Sequence, residues 1–203
     1  MRLLLLLWVA VALSACATLN RSECETADWR VIGYEDGAHG RALSYLAKHR
    51  KACADYGIRP NMDRYEMGRQ AGLQEYCTPR NGFRLGRKGY PLNTQCPAPL
   101  ADDFQHAWSQ GHELYGAELA HRDTQKHIDT LVRQQAELVE QRASVEQVLI
   151  HDGITAHRRR HLLREMNELD TEIRAIEYER AMLEDQLELE QIEVDRLRAM
   201  FLY

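Results

Sequence analysis

The sequence predicts a mainly α-helical protein in which a small disulfide-stapled helical head is followed by a long antiparallel helical hairpin. Three observations predict it. All five Cys, all five Pro and nine of the twelve Gly precede residue 100, so the first half is turn-rich and the second is free of proline. From Leu162 onward a 3,4 spacing picks out Leu162, Met166, Leu169, Ile173, Ile176, Arg180, Leu183, Leu187, Glu190, Val194, Leu197 and Phe201, ten of them apolar. Sustained over more than five heptads, that is a coiled-coil seam. A second seam precedes it, through Thr124, Ile128, Leu131, Gln135, Leu138, Arg142, Val145 and Leu149, and His151-Asp152-Gly153-Ile154 separates the two. With 44% of its 203 residues hydrophobic the chain can build a core, which excludes disorder as the whole account.

Residues 1–15 read as an address rather than a domain. Met1-Arg2 supplies a positive start, and Leu3 to Leu13 is an apolar run of 11 residues. A membrane-crossing helix needs roughly 20 such residues, so the run fits the apolar region of a secretory signal. Leu13-Ser14-Ala15-Cys16 then resembles a bacterial lipobox: an apolar residue, two small ones and a cysteine. The resemblance implies cleavage before Cys16 and fatty acylation there. Each buried methylene contributes about 0.8 kcal/mol, and one myristoyl chain alone holds only marginally; two or three chains on Cys16 would anchor the molecule almost permanently. Ala17 stands where an Asp would retain such a protein at the inner membrane, so the expected location is the outer membrane, facing the periplasm. The membrane is thus the first expected partner.

Setting Cys16 aside leaves Cys24, Cys53, Cys77 and Cys96. Four cysteines in an oxidising compartment read as two disulfides. No close Cys pair of the kind zinc sites use is present, and no C-x-x-C for redox catalysis. Charge divides the chain at the same place as the turn residues: residues 17–99 carry a net +4, residues 100–203 a net −10. The expected organisation is therefore a signal over 1–15, a head over 16–99 and a hairpin over 100–203 with its tip near 151–156.

Within the head, residues 62–76 read as a helix, because Met62, Tyr65, Leu73 and Tyr76 are helically spaced and Pro60 and Pro79 bracket them. Residues 41–56 read as a second, ending at Gly57. For residues 28–40 helix and loop both stand. Gly33, Gly37 and Gly40 fall on one helical stripe, as do Gly68 and Gly72, which suits close contact between backbones; glycine clusters also serve turns. Residues 78–99 read as a loop.

Three segments stand out together: Asp28-Trp29 through Gly33, Asp36-Gly37 and Gly40; Tyr65 through Gly68, Gly72, Tyr76-Cys77 and Pro79; and Asn81-Gly82-Phe83 through Gly86 and Gly89-Tyr90. With the lipobox they resemble a bacterial lipoprotein family catalogued as domain-of-unknown-function family 2799, over about residues 20–117. The resemblance implies a location and a fold and carries no established activity. The C-terminal stretch lies outside it.

Two helices over 28–56 and 62–76, if antiparallel, would place Cys53 at one end of the pair and Cys77 about 22 Å away at the other. A bridge needs Cα atoms within about 7 Å. That disfavours Cys53–Cys77, and the expected pairing is Cys24–Cys77 with Cys53–Cys96.

Two basic patches are the candidate binding surfaces. Arg80, Phe83, Arg84, Arg87, Lys88 and Tyr90 interleave cations with rings in a segment without acids. That pattern suits single-stranded nucleic acid elsewhere; outside the cytoplasm it suits anionic headgroups or glycan carboxylates, or simply a solvated loop, and no nucleic acid is expected. His157, Arg158, Arg159, Arg160 and His161 gather at the hairpin tip. His157 and His161 are four apart, but the three arginines between them oppose a metal cation, and no metal or cofactor is expected. The polar seam residues point to a partner helix or self-association through the hairpin, or to a fixed register.

Nothing in the sequence assembles a catalytic constellation. Ser22, Ser44, Ser109 and Ser144 lack a nucleophile-elbow context. His39, His49, His106 and His112 have no ligand pattern. Asp36, beside Glu35, reads as a cap or turn residue, with an acid role in glycan chemistry the sharper alternative. The expected function is a structural or adaptor lipoprotein of the cell envelope acting through its coiled-coil arm; the alternative is a head that binds envelope glycan or lipid, with the hairpin as spacer.

Overall fold

A computed structural model describes residues 19–201; the signal segment and Cys16 lie outside the described residues. Among the described residues there are seven α-helices, one 3-10 turn and no strand. The chain divides into two compact units, one through His112 and one from Glu113. The longest helix contributes its first turns to the first unit and the rest to the second.

The first unit opens with α1 (Arg21–Glu25), where Asn20 and Glu23 form a reciprocal capping box. Helix α2 (Trp29–Ala38) starts at Asp28, whose carboxylate accepts from the Arg30 amide. Residues 28–40 are thus helical, and Gly40, at φ +68°, ends the helix in the left-handed conformation that only glycine adopts cheaply. A 3-10 turn (Leu43–Tyr45) leads into α3 (Leu46–Ala54). Helix α4 (Met62–Tyr76) is capped by Asn61.

The glycine stripes set how α2 and α4 meet. A Cβ on Gly33 would collide with the Tyr65 carbonyl, and one on Gly37 with that of Arg69. From the other side, Gly68 lies against the Arg30 carbonyl and Gly72 against that of Tyr34. Later residues of α2 meet later residues of α4, so the two helices run parallel, with α3 carrying the chain back between them.

That direction corrects the disulfide pairing. The bridges are Cys24–Cys53 and Cys77–Cys96, each with Cα atoms 5.6 Å apart, and not Cys24–Cys77 with Cys53–Cys96. An antiparallel pair was the wrong premise. Because α3 returns the chain to the start of α2, Cys53 arrives beside Cys24, just ahead of that helix. Cys77, at the far end of α4, meets neither.

The expected loop at 78–99 is also corrected. Residues Pro79–Arg87 form α5, with the Thr78 hydroxyl accepting from the Asn81 amide and Pro79 in the first turn. Helix α6 (Ala98–Leu149) follows after a short crossover. Gly82 and Gly86 lie against the Phe104 and Trp108 carbonyls, and Gly111 against that of Phe83. This second pair is parallel too.

The two pairs share one construction. Gly33-Tyr34-x-x-Gly37-x-x-Gly40, through α2 and its end, is matched by Gly82-Phe83-x-x-Gly86-x-x-Gly89, through α5 and its end. Both runs end alike: Gly40 and Gly89 have positive φ, and the Arg41 and Tyr90 amides reach back to the Asp36 and Leu85 carbonyls. Tyr65-x-x-Gly68-x-x-x-Gly72-x-x-x-Tyr76 in α4 is matched by Phe104-x-x-Ala107-x-x-x-Gly111-x-x-x-Tyr115 in α6. Each pair has one cysteine ahead of its first helix bridged to one ahead of its second.

The second unit is the helical hairpin of α6 and α7 (Ala156–Phe201). Every residue of both seams is buried or half-buried, with Ile128, Leu131, Leu162, Val194 and Leu197 the most enclosed. The polar seam positions find partners across the hairpin. Arg180 donates to Gln135 at 2.8 Å, Arg142 to Asp170 at 2.6 Å, and Thr124 to Glu190 at 3.1 Å. They match within the chain and fix its register. Among the described residues no helix is long and apolar enough to cross a membrane.

Candidate functional site

Among the described residues, buried titratable groups cluster in the first unit, on the inner face of α2. Asp36 sits on the glycine stripe, where α4 packs closely, and it is only 2% exposed. A buried carboxylate needs donors, and three converge on it. His49 Nε2 on α3 lies 2.8 Å from Oδ2, the Tyr65 hydroxyl on α4 donates to Oδ2 at 2.7 Å, and Arg41 Nη1 donates to Oδ1 at 2.6 Å. Tyr65 and His49 are buried as well. The Tyr45 ring stands edge-on to His49, with the Arg41 guanidinium over its face.

Electrostatics follow from this geometry. Burial pushes the Asp36 carboxyl up, but the hydrogen bonds from His49, Tyr65 and Arg41 outweigh it and hold the group below the ordinary carboxylate range. Burial, and then the bond to Asp36, push the Tyr65 phenol well above its ordinary value. With Nε2 turned to Asp36, His49 Nδ1 is left buried without a hydrogen-bond partner. Asp36 is therefore neither a cap nor a turn residue, and its oxygens are enclosed and already bonded, so it cannot serve as an exposed acid for glycan chemistry.

The second helix pair lacks this cluster. Leu85 stands where Asp36 does, and Phe104 where Tyr65 does. Phe104 is buried with Leu73 and Cys77, and Leu85 packs on that group. The carboxylate and the hydroxyl that bonds it are absent together, which is what the pairing of donor and acceptor requires.

The sequence-predicted basic residues do not form one site. Arg80 and Arg84 line a groove of about 530 Å³ with His39, Glu75 and Asn81. Arg84 donates to Asn81, and with Arg87 it occupies the last turn of α5, where the helix dipole favours cations. Lys88 is the C-terminal cap. Phe83 is half-buried against α6. Tyr90 exposes its ring, while its carbonyl accepts from the Trp108 indole at 3.0 Å.

At the hairpin tip, His157, Arg158, Arg159, Arg160 and His161 are all exposed. The Thr155 hydroxyl accepts from the Arg158 amide, Arg159 reaches back to the Leu149 carbonyl at 3.3 Å, and His161 faces Glu165. Among the described residues no three His, Cys, Asp or Glu side chains converge as a metal would need. Sequence reasoning missed the partners of Asp36, although one signal was available: an acidic residue on a glycine stripe faces backbone and must find donors.

Residues 28–113 match the family model described as a protein of unknown function (DUF2799). No curated protein and no solved structure matches the chain.

Proposed function

Starting from residues 28–113 as a domain of the DUF2799 family, we propose that the protein is an outer-membrane lipoprotein that faces the periplasm and acts as a structural or adaptor component through its helical arm. The observation that carries this reading is the cysteine inventory. Four cysteines pair with one another, and the fifth, Cys16, is the one that closes the lipobox pattern Leu13-Ser14-Ala15-Cys16. Stable bridges suit an oxidising compartment, and a cysteine left over in that setting suits acylation.

The tip supports the adaptor role. Arg158 and Arg159 lie in the first turn of α7, with Arg160 just beyond it, at the end where the helix dipole disfavours cations. Their charge opposes the helix that carries them and suits an acidic partner surface. A photo-crosslinking residue at His157 in cells, followed by mass spectrometry, is expected to capture one defined protein. Crosslinking to bulk envelope material alone, with an unmodified Met1 as the native N-terminus, would overturn the reading.

A further inference from the structure

We propose that the groove beside the Cys24–Cys53 bridge holds an anionic glycerophospholipid of the leaflet in which Cys16 is anchored; this rests on the lipid-anchor reading above. The groove encloses about 980 Å³, within the range of small-molecule sites. Leu43, Leu46, Ile58 and Met62 give it an aliphatic lining, and the exposed Arg50 and Arg59 share that lining. Neither guanidinium is paired with a carboxylate among the described residues. Hydrocarbon walls with two free cations suit an acyl chain that carries an anionic head. Guanidinium is the side-chain group best matched to phosphate oxygens.

Chain length favours a bilayer lipid as the occupant. Leu19, the first described residue, packs against the same apolar cluster as Leu43 and Ile58. Cys16 lies three residues earlier, and three residues span at most about 11 Å. An acylated Cys16 therefore keeps Leu19, and with it the cluster that the groove lining shares, close to the headgroup layer, where phospholipids are concentrated and the two guanidiniums select the anionic ones. Trp29 and Leu46 belong to the cluster that backs the groove, so an acyl chain seated there would approach the Trp29 indole.

The test uses the mature chain with Cys16→Ser, so that no acyl anchor contributes, and with Trp108→Phe, so that Trp29 is its sole tryptophan. It is mixed with vesicles of phosphatidylcholine, with or without phosphatidylglycerol bearing brominated acyl chains. The expected result is sedimentation with the phosphatidylglycerol vesicles only, with quenching of Trp29 emission. R50E/R59E is expected to weaken that binding at least tenfold, and M62D to abolish quenching while circular dichroism is unchanged. Binding of R50E/R59E within twofold of the parent, or binding without quenching, would overturn the proposal. The mass of the native N-terminal peptide separates the two readings: an unacylated Cys16 defeats the anchor, whereas the vesicle result judges the groove itself.

Discussion

The Tyr65 hydroxyl donates to Asp36 across the contact between α2 and α4, and both side chains are sealed from solvent. In the second helix pair Phe104 and Leu85 occupy the corresponding places. Removing one partner of a buried hydrogen bond leaves the other unsatisfied, whereas replacing both removes that part of the cost, although His49 and Arg41 still lose their acceptor with Asp36. Y65F is expected to cost about 1.5–3 kcal/mol and D36L more than about 3 kcal/mol. The double variant D36L/Y65F should cost clearly less than the sum of the two. Urea unfolding of the four proteins in a double-mutant cycle measures the coupling; strict additivity would show that the two groups do not act together.

The same pair gives stability a pH dependence at both extremes. The Asp36 carboxyl is held below its unfolded value, so its contribution is present above about pH 4 and is lost as pH falls through the lower folded value. The Tyr65 phenol is held above its unfolded value, so its contribution is present below about pH 10 and is lost as pH rises beyond that. Thermal melts from pH 2 to 11 should show both losses, and D36L/Y65F should flatten both. An unchanged profile in the double variant would assign the losses to other groups.

Gly68 and Gly116 should respond to alanine in opposite directions. A methyl group on Gly68 meets the Arg30 carbonyl inside the helix pair, while one on Gly116 meets nothing within 4 Å. G116A is expected to raise stability by about 0.5–1 kcal/mol through helix propensity. G68A must push the two backbones apart and should lower stability by several times that amount. Chemical denaturation of the two single variants checks the signs.

Each disulfide closes a short loop: Cys24 and Cys53 are 29 positions apart in sequence, and Cys77 and Cys96 are 19 apart. Loop-closure entropy assigns each about 3–3.5 kcal/mol, slightly more to the longer loop. C24S/C53S and C77S/C96S should therefore destabilise by similar amounts. Peptide mapping without reduction should find these two pairs and no other; a Cys24–Cys77 peptide would contradict the parallel packing of α2 and α4.

At the tip, R158E/R160E should raise the melting temperature slightly, because an acidic residue at position 158 suits the first turn of the helix by about 0.3–1 kcal/mol. The same variant should lose the protein crosslink expected from His157. A stabilised protein that still crosslinks would detach the arginines from partner binding.

How legible each part was in the sequence depended on whether a periodic signal reported it. The seams of the hairpin were readable, since every residue of the 3,4 pattern from Thr124 to Leu149 and from Leu162 to Phe201 is buried or half-buried, whereas the packing of the first turns of α6 on α5 was not. A two-helix unit has only one face to bury, so pattern and burial coincide. The head was harder because glycine carries two meanings. Pro79, Gly82, Gly86 and Gly89 looked like loop punctuation; in α5 they are a first-turn proline, two contact glycines and a stop. The bridge pairing failed on helix direction, which spacing along one helix does not encode. The Asp36 cluster draws on three helical segments and the turn after α2, and only its buried position on the glycine stripe hinted at it.

The two glycine-lined pairs also give the molecule an internal control. One copy holds its helices together around a charged, hydrogen-bonded centre and its sibling around hydrocarbon, under the same backbone template. Whatever the charged version adds is therefore not demanded by the architecture. Transplanting Leu85 and Phe104 into the places of Asp36 and Tyr65, and then assaying the living cell rather than the melting curve, would ask what that difference is for.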